Sequence, residues 1–311
     1  MSPKEKLLFD LNFTQNELTA LQGNCHRLVK LIKIPKKSGG YRLVYHPSRK
    51  LKSVQLWLKS KYFEGMKVHE SASAYQKGSS IIKNAKTHQH SDFFFKIDFQ
   101  NFFPSILHTD IISHFRSEKN TLGLDNKNLD ELIVITKSFC FDTNSSLVMG
   151  YPTSPILANL AMYEFDNLLD ANLKTIDKNI YYSRYADDII ISYSQKVFLT
   201  EIKRTFKEVI QSKNVPLLKI NREKTKLFKK SSGIAAITGI RVAADGHLTI
   251  YKQTKDEIRL LLSLMGKNTL QETDKPKLKG LISFAKSADP HFYTKISRKY
   301  FKQLLELYQH N

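Results

Sequence analysis

The sequence predicts an α+β fold built from two or three subdomains. Two observations carry this. Short alternating runs come in pairs, around turn signals at 31–34 with 41–45 and at 233–242 with 247–251, and within 180–194 around Tyr185-Ala186-Asp187-Asp188, which holds no Gly or Pro. Between and after them lie longer runs with apolar residues every three or four positions, the helical period. A length of 311 residues with 41% hydrophobic content is enough to bury a core, and it argues against a repeat or a fibre.

Taken in order, residues 1 to 30 read as helix, because Thr14-Gln15-Asn16-Glu17 has the form of a capping box before Leu18 and Leu21. Leu31 to Ile34 and Tyr41 to Tyr45 then form a hairpin around Pro35-Lys36-Lys37-Ser38-Gly39-Gly40. Its basic tip could close over phosphates: Arg42 suits bidentate bonds to a triphosphate, whereas Lys36 and Lys37 offer point charges, and plain solvated charge reads as well. Leu51, Val54, Leu58 and Tyr62 with Trp57 mark an amphipathic helix. In the small, flexible stretch Ser73 to Ile81, Lys77, Ser79 and Ser80 suit phosphate or ribose contacts, as an ordinary polar loop also would.

Asp92 to Asp98 (D-F-F-F-K-I-D) is a short apolar run and reads as a buried strand ending in a carboxylate. Pro104 breaks it, and a helix follows. Residues 111–141 look helical with a polar interruption at 117–126, and Met149 to Pro155 breaks all regularity before one long helix over 156–173. Such a loop feeding a helix presents backbone N–H groups to an anion or a base pair. The run 180–194 holds two strands around Tyr185-Ala186-Asp187-Asp188, 198–210 is another amphipathic helix, and Asp245-Gly246 signals a last hairpin. From Asp256 onward the chain is helical and basic.

Lys and Arg total 49 against 29 Asp and Glu, a formal net charge of +20 that favours a polyanionic partner. No apolar run approaches the ~20 residues of a membrane span, and the N-terminus lacks a secretory apolar region, so nucleic acid in the cytoplasm is the expected setting rather than a membrane. Cys25 and Cys140 stand far apart without companions at metal-ligand spacing and read as reduced core thiols. His108 and His114 likewise lack partners at metal spacing and read as surface or packing residues.

Two adjacent acids next to apolar strands repel each other, although Asp is also a good turn former. Asp98 adds a third carboxylate, and the three can meet if their strands neighbour in one sheet. An all-oxygen donor set selects a hard cation, and two Mg²⁺ ions ~3.5–4 Å apart would activate a hydroxyl and stabilise a leaving pyrophosphate. Nucleotidyl transfer is the reaction class implied.

At these motifs the sequence resembles reverse transcriptases, and the retron branch in particular. Tyr185-Ala186-Asp187-Asp188 resembles the catalytic turn, Phe95-Lys96-Ile97-Asp98 with Phe99 to Ser105 the first catalytic motif, and Pro152-Thr153-Ser154-Pro155 with Asn159 the template-and-nucleotide loop. Asn221 to Lys226 is similar to the segment whose lysine assists pyrophosphate departure, and the Gly239 region to the primer grip. Asn84-Ala85-Lys86-Thr87-His88 matches a retron N-A-x-x-H element, and Ile237-Thr238-Gly239 is close to its V-T-G element.

The resemblance implies a right-hand polymerase: fingers over residues 1–90, a palm with an antiparallel sheet over 91–245 carrying a fingers insertion at about 111–148, and a helical thumb over 246–311. It implies Asp98, Asp187 and Asp188 as ligands of Mg²⁺, with Mn²⁺ an alternative, and Lys224 as general acid. Lys36, Lys37, Arg42, Phe99, Phe103, Gly150, Pro152 and Ser154 would bind the nucleotide, the Phe103 ring excluding a ribose 2′-hydroxyl. Lys77, Asn84, His88, Thr238 and Gly239 would hold RNA. Met149 stands where many relatives have Gln, so contacts through backbone N–H or Met packing must replace that amide. The implied partners are a cognate noncoding RNA and its RNA–DNA product, deoxynucleoside triphosphates, and an effector protein in antiphage defence. An intron-encoded maturase would call for a longer segment after the thumb or a Cys/His cluster. A non-catalytic RNA-binding protein on a polymerase fold would have no need of all three carboxylates.

Overall fold

The computed structural model describes residues 1–35, 39–213, 215–232 and 235–309. Lys36 and Lys37, expected to hold phosphates, and Gly233, expected to open a strand, lie outside the described residues.

The chain opens with α1 (Pro3–Asp10) and α2 (Gln15–Asn24), both started by reciprocal capping boxes, Ser2 with Glu5 and Thr14 with Glu17. The hairpin β1 (Val29–Pro35) and β2 (Tyr41–Pro47) is in register from Val29↔Pro47 to Pro35↔Tyr41. Then follow α3 (Arg49–Lys61), α4 (Ile81–His88), β3 (Phe93–Gln100), a short α5 (Phe102–Ser105), α6 (Thr109–Ser117) and α7 (Asn126–Cys140). Helices α8 (Ser154–Ala161) and α9 (Tyr163–Ile176) precede β4 (Tyr181–Tyr185), β5 (Asp188–Tyr193) and α10 (Leu199–Ile210). The rest comprises β6 (Lys219–Ile220), β7 (Lys226–Lys229), β8 (Ala236–Ile237), β9 (Ile240–Val242), β10 (Leu248–Thr249), α11 (Lys252–Gly266), α12 (Lys275–Ala288), α13 (Pro290–Lys299) and α14 (Phe301–Gln309).

Three expectations need correction. The helix read over 1–30 is α1 and α2 and gives way to β1 at Val29, and the strand read over 233–242 is, in its described part, the hairpin β8–β9, paired Ile237↔Ile240 across Thr238–Gly239. The helix read as continuous over 156–173 is two helices that break at Met162. Almost every residue of α8 is buried, whereas α9 buries only the stripe Phe165, Asp166, Leu169 and Leu173. A straight rod would have to satisfy both environments with one axis, and the break lets each segment face its own surroundings.

The main sheet has the order β4-β5-β3-β6, with β7 also paired to β3. By packing the chain divides into two units, Met1–Lys77 with Ile97–Ile189 and Val197–Thr225, and Gly78–Lys96 with Ile190–Lys196 and Lys226–Asn311. In the first unit Phe99 lies in an aromatic cluster with Phe102, Phe165 and Phe206 at ring distances of 6.1, 6.1 and 6.4 Å. Cys25 and Cys140 are both buried in this unit, and burial pushes their thiols up to about 11 and about 12. His108 and His114 pack inside it too, bonded to the carbonyls of Ile133 and Lys67 at 3.1 and 2.8 Å.

In the second unit a separate core gathers Phe94 and Ile190 with the apolar faces of β8 to β10 and of α11 to α14. One carboxylate fastens this unit. Asp289, 1% exposed, accepts from the Phe292 N–H at the start of α13 (2.9 Å), from the Thr249 hydroxyl on β10 (2.6 Å) and from the Lys255 ammonium on α11 (2.7 Å). Burial alone would raise its pKa, but Lys255, Thr249 and the Phe292 N–H outweigh that and hold it below the usual carboxylate value. A depressed folded pKa means stability present above the unfolded value and lost as pH falls through the folded one. Asp289→Asn should therefore lower the unfolding free energy at pH 7 by about 1.5–3 kcal/mol. In urea titrations the gap to wild type should narrow below the ordinary Asp pKa of 3.8.

Candidate active site

Strands β4 and β5 meet at a turn closed without glycine: Ala186 takes a left-handed φ of 57°. One backbone bond ties the strand bearing the third acid to this turn, and a second ties that strand to the segment carrying Lys224. The Phe99 N–H donates to the Asp187 carbonyl at 3.2 Å, and the Asn221 N–H donates to the Asp98 carbonyl at 2.7 Å. Asp98, Asp187, Asp188 and Lys224 thus belong to one unit, as the motif order implied.

Asp98 is 5% exposed, and its Oδ1 has no hydrogen-bond partner. The Lys224 ammonium stands 3.3 Å from that oxygen and 3.4 Å from Oδ2, a cation at the carboxylate. Burial pushes the Asp187 carboxyl up, and the charges of Asp188 and Asp98 push it further, against its own backbone N–H and Lys224. Among the described residues no three carboxylate, imidazole or thiol groups are gathered into a metal cage. The donors nevertheless fit a hard divalent ion: they are oxygen only, they repel one another, and the buried Asp98 Oδ1 accepts no hydrogen bond and has only the Lys224 cation beside it.

A set of residues not foreseen from sequence supports this turn. Arg184, two positions before Ala186 and fully buried, forms a bidentate pair with buried Asp166 of α9, at 2.8 Å (Nε to Oδ1) and 2.6 Å (Nη2 to Oδ2). Its Nη1 donates to Asn159 Oδ1 on α8 (3.1 Å) and to the Ala186 carbonyl (3.4 Å), and the Tyr182 hydroxyl also donates to Asp166 (2.5 Å). The available signal was one Arg inside an apolar strand pattern and one Asp on an apolar helix stripe. Tyr75 was also missed. It is half exposed in a left-handed conformation (φ 62°), and the charges of Asp187, Tyr185 and Arg42 all reach its phenol, which is pushed up chiefly by burial.

The predicted nucleotide residues fall into three groups. Arg42 is exposed on β2. The Met149–Pro155 loop is built around Gly150 (φ 106°), where an added Cβ would collide with the Tyr45 carbonyl and come within 2.8 Å of Val44. The Met149 carbonyl accepts from the Tyr45 N–H at 2.8 Å, so the base of the β1–β2 hairpin is seated on this loop. Ser154 is buried and its hydroxyl is committed to the Val148 carbonyl at 2.5 Å, while Pro152 is half-buried. Phe103 is half-buried, edge-on to Phe102 at 5.5 Å. The Phe99 ring, expected at the nucleotide, points instead into the aromatic core at 2% exposure, because successive strand residues face opposite sides and Asp98 takes the site side.

The RNA residues meet a similar correction. Lys77 and Gly239 are exposed and Thr238 is half-buried. Asn84 and His88 are at 2% and 0% exposure and present no surface to an RNA. Within the second unit, Asn84 donates to Thr238 Oγ1 at 3.4 Å, and His88 Nδ1 is 2.7 Å from the Ser192 hydroxyl, itself 2.9 Å from that of Ser91. Burial drives the His88 imidazole down to about 3, so it is neutral and works as an internal hydrogen-bonding group.

Comparison with known proteins agrees with this geometry. Residues 34–261 match the family described as reverse transcriptase (RNA-dependent DNA polymerase). The chain is 42% identical over 278 residues to the retron Ec73 reverse transcriptase of Escherichia coli, covering 87% of this chain and 86% of that protein. It is 30% identical, with the same coverage, to the retron Ec83 reverse transcriptase of Escherichia coli. Among solved structures, the telomerase from Candida albicans in complex with a fragment of telomeric RNA superposes at a TM-score of 0.53 with 9% identity. That match covers 96% of this chain and 60% of that one, and it speaks for the fold alone.

Gly150 gives a direct test of the seat between hairpin and loop. Gly150→Ala should destabilise the protein by about 1–3 kcal/mol through the left-handed backbone alone. Steady-state kinetics should also show a raised KM for deoxynucleotide, since the methyl group pushes β2 off the loop. Wild-type KM and melting temperature together would remove the seat.

Proposed function

This chain belongs to the retron reverse transcriptases and is an RNA-directed DNA polymerase, and from that premise we propose that it copies part of a structured noncoding RNA from the 2′-hydroxyl of an internal guanosine. The product would be branched, RNA-linked single-stranded DNA. Supporting the chemistry is one observation above all: a buried Asp98 carboxylate whose Oδ1 accepts no hydrogen bond, on a strand tied by a backbone bond to Asp187 of the turn and ion-paired with Lys224.

In this reading Asp98, Asp187 and Asp188 hold Mg²⁺, two ions with Mn²⁺ as a substitute. When bound, the ions supply charge neutralisation at the triphosphate and acidify the attacking hydroxyl. The protein does the rest. The hydroxyl oxygen attacks the α-phosphorus, the α–β bridging P–O bond breaks, and Lys224 delivers a proton to the departing pyrophosphate. Arg42 grips the triphosphate through its planar fork, with Lys36 and Lys37 as further cations. The loop around Gly150, Pro152 and Ser154 offers backbone groups to the incoming base pair, since the Ser154 hydroxyl is already engaged and Met149 has no amide. Phe103 is the ring set against a ribose 2′-hydroxyl. In this reading the fingers run to about residue 90, the palm to about 245 with a fingers insertion at about 111–148, and the thumb lies beyond.

RNA contacts are assigned to Lys77 and to the Thr238–Gly239 turn, where two consecutive left-handed residues (φ 46° and 89°) expose backbone. Asn84 and His88 act indirectly, by holding that turn and strand β5. Among the described residues no helix is long and apolar enough to cross a membrane. The proposed setting is the bacterial cytoplasm, with the RNA–DNA product and an effector protein in antiphage defence.

The test uses RNA transcribed from the few hundred bases upstream of the reading frame, with protein, Mg²⁺ and deoxynucleotides. DNA that stays joined to RNA until a debranching enzyme is added is the expected product, and unlinked DNA would overturn the priming proposal. Asp187→Asn with Asp188→Asn should abolish incorporation while RNA binding persists in a filter assay. Incorporation by that double variant would remove the metal assignment.

A further inference from the structure

A fully buried guanidinium is stable only where its donors are matched, and at Arg184 four of five N–H groups have acceptors within 3.4 Å. Two of them are enough to satisfy the charge, through the bidentate pair with Asp166. The other two, both on Nη1, go to different destinations: the carbonyl of Ala186, whose left-handed φ of 57° makes the turn, and Asn159 Oδ1 on the helix entered from the Gly150–Pro152 loop.

The backbone of Arg184 is engaged as well. Its N–H donates to the Ser71 carbonyl at 2.8 Å, and its carbonyl accepts from the Ser73 N–H at 2.8 Å and the Ser73 hydroxyl at 3.1 Å. Asn159 completes a ring of bonds by donating Nδ2 to the Ala74 carbonyl at 2.9 Å. The segment so held leads directly into Tyr75, in its strained conformation beside the site. One side chain is therefore bonded to the acid-bearing turn and to the nucleotide-loop helix, and through its backbone to the segment presenting Tyr75.

We propose that Arg184 is a positioning residue for DNA synthesis: anchored by Asp166, it sets the Ala186 turn that aims Asp187 and Asp188 at the cation, and through Asn159 it couples that turn to the nucleotide loop. This rests on the reading that Asp187 and Asp188 hold the cation. A side chain that only filled space would leave the cation affinity of those acids unchanged when replaced by one of equal volume, whereas loss of a group orienting metal ligands lowers that affinity about 10- to 100-fold.

The experiment titrates Mn²⁺ into the full chain by electron paramagnetic resonance, without nucleotide, and records melting curves alongside. Three proteins are compared with wild type: Arg184→Met with Asp166→Leu, which replaces the buried pair by apolar groups; Arg184→Lys, which keeps the charge but has three donors and no planar fork where Arg184 makes four bonds, two of them bidentate to Asp166; and Asp187→Asn with Asp188→Asn. For the two Arg184 proteins the expected result is a cooperative melt with Mn²⁺ affinity at least about tenfold weaker. If the apolar pair fails to fold, Arg184→Lys carries the same expectation. Wild-type affinity in a folded Arg184 variant overturns the proposal. Wild-type affinity in the Asp187/Asp188 protein instead overturns the metal reading on which it rests. For the link to the nucleotide loop, Asn159→Ala should raise the deoxynucleotide KM severalfold with little change in kcat, and an unchanged KM removes Asn159 from the mechanism.

Discussion

Mutual repulsion of three carboxylates is the constraint around which this protein is arranged. Two unit charges 5 Å apart interact by about 3 kcal/mol at an effective dielectric near 20, and burial adds a desolvation penalty to each. The chain accepts that cost at Asp98, Asp187 and Asp188 and contains it with fixed geometry. Strand β3 is bonded to the turn through backbone, Lys224 lies against Asp98, and the turn itself is bonded to a guanidinium whose charge is already matched by Asp166. The result is a set of acids whose negative potential is fixed in place by backbone and side-chain bonds instead of being relaxed by swinging into water.

The same economy explains the two retron-type elements. Asn84 and His88 look like recognition residues in sequence, being polar and close to a basic loop, yet both are buried. Helix α4 uses them to hold the Thr238 turn and the outgoing half of β5 within the second unit. A neutral His88 buried with two serine hydroxyls is a poor sensor and a good spacer.

Much of this was legible in the sequence, and the reasons for the gaps are physical. Capping boxes, hairpins and the strand carrying Asp98 depend on neighbours a few residues apart, so local pattern reveals them, although that strand runs on past Asp98 to Gln100. The acids stood out because no apolar environment tolerates three of them without a partner. The Arg184–Asp166 pair joins positions 18 residues apart and the Asp289–Lys255 pair joins two helices, and nothing local says which buried charge meets which. The break at Met162 was invisible because the helical period continues through it. The orientation of Phe99, by contrast, was readable: it follows Asp98 in a strand and must face the other way.

The two cysteines, noted above only as buried thiols, have a practical consequence. With pKa values held at about 11 and about 12 by burial, neither Cys25 nor Cys140 offers an appreciable thiolate at neutral pH. The native chain is then close to silent toward maleimides and methanethiosulfonates. A single cysteine introduced at exposed Val197 or Leu217 could carry a fluorophore or spin label without removing either native thiol, leaving the core intact for measurements of motion during synthesis.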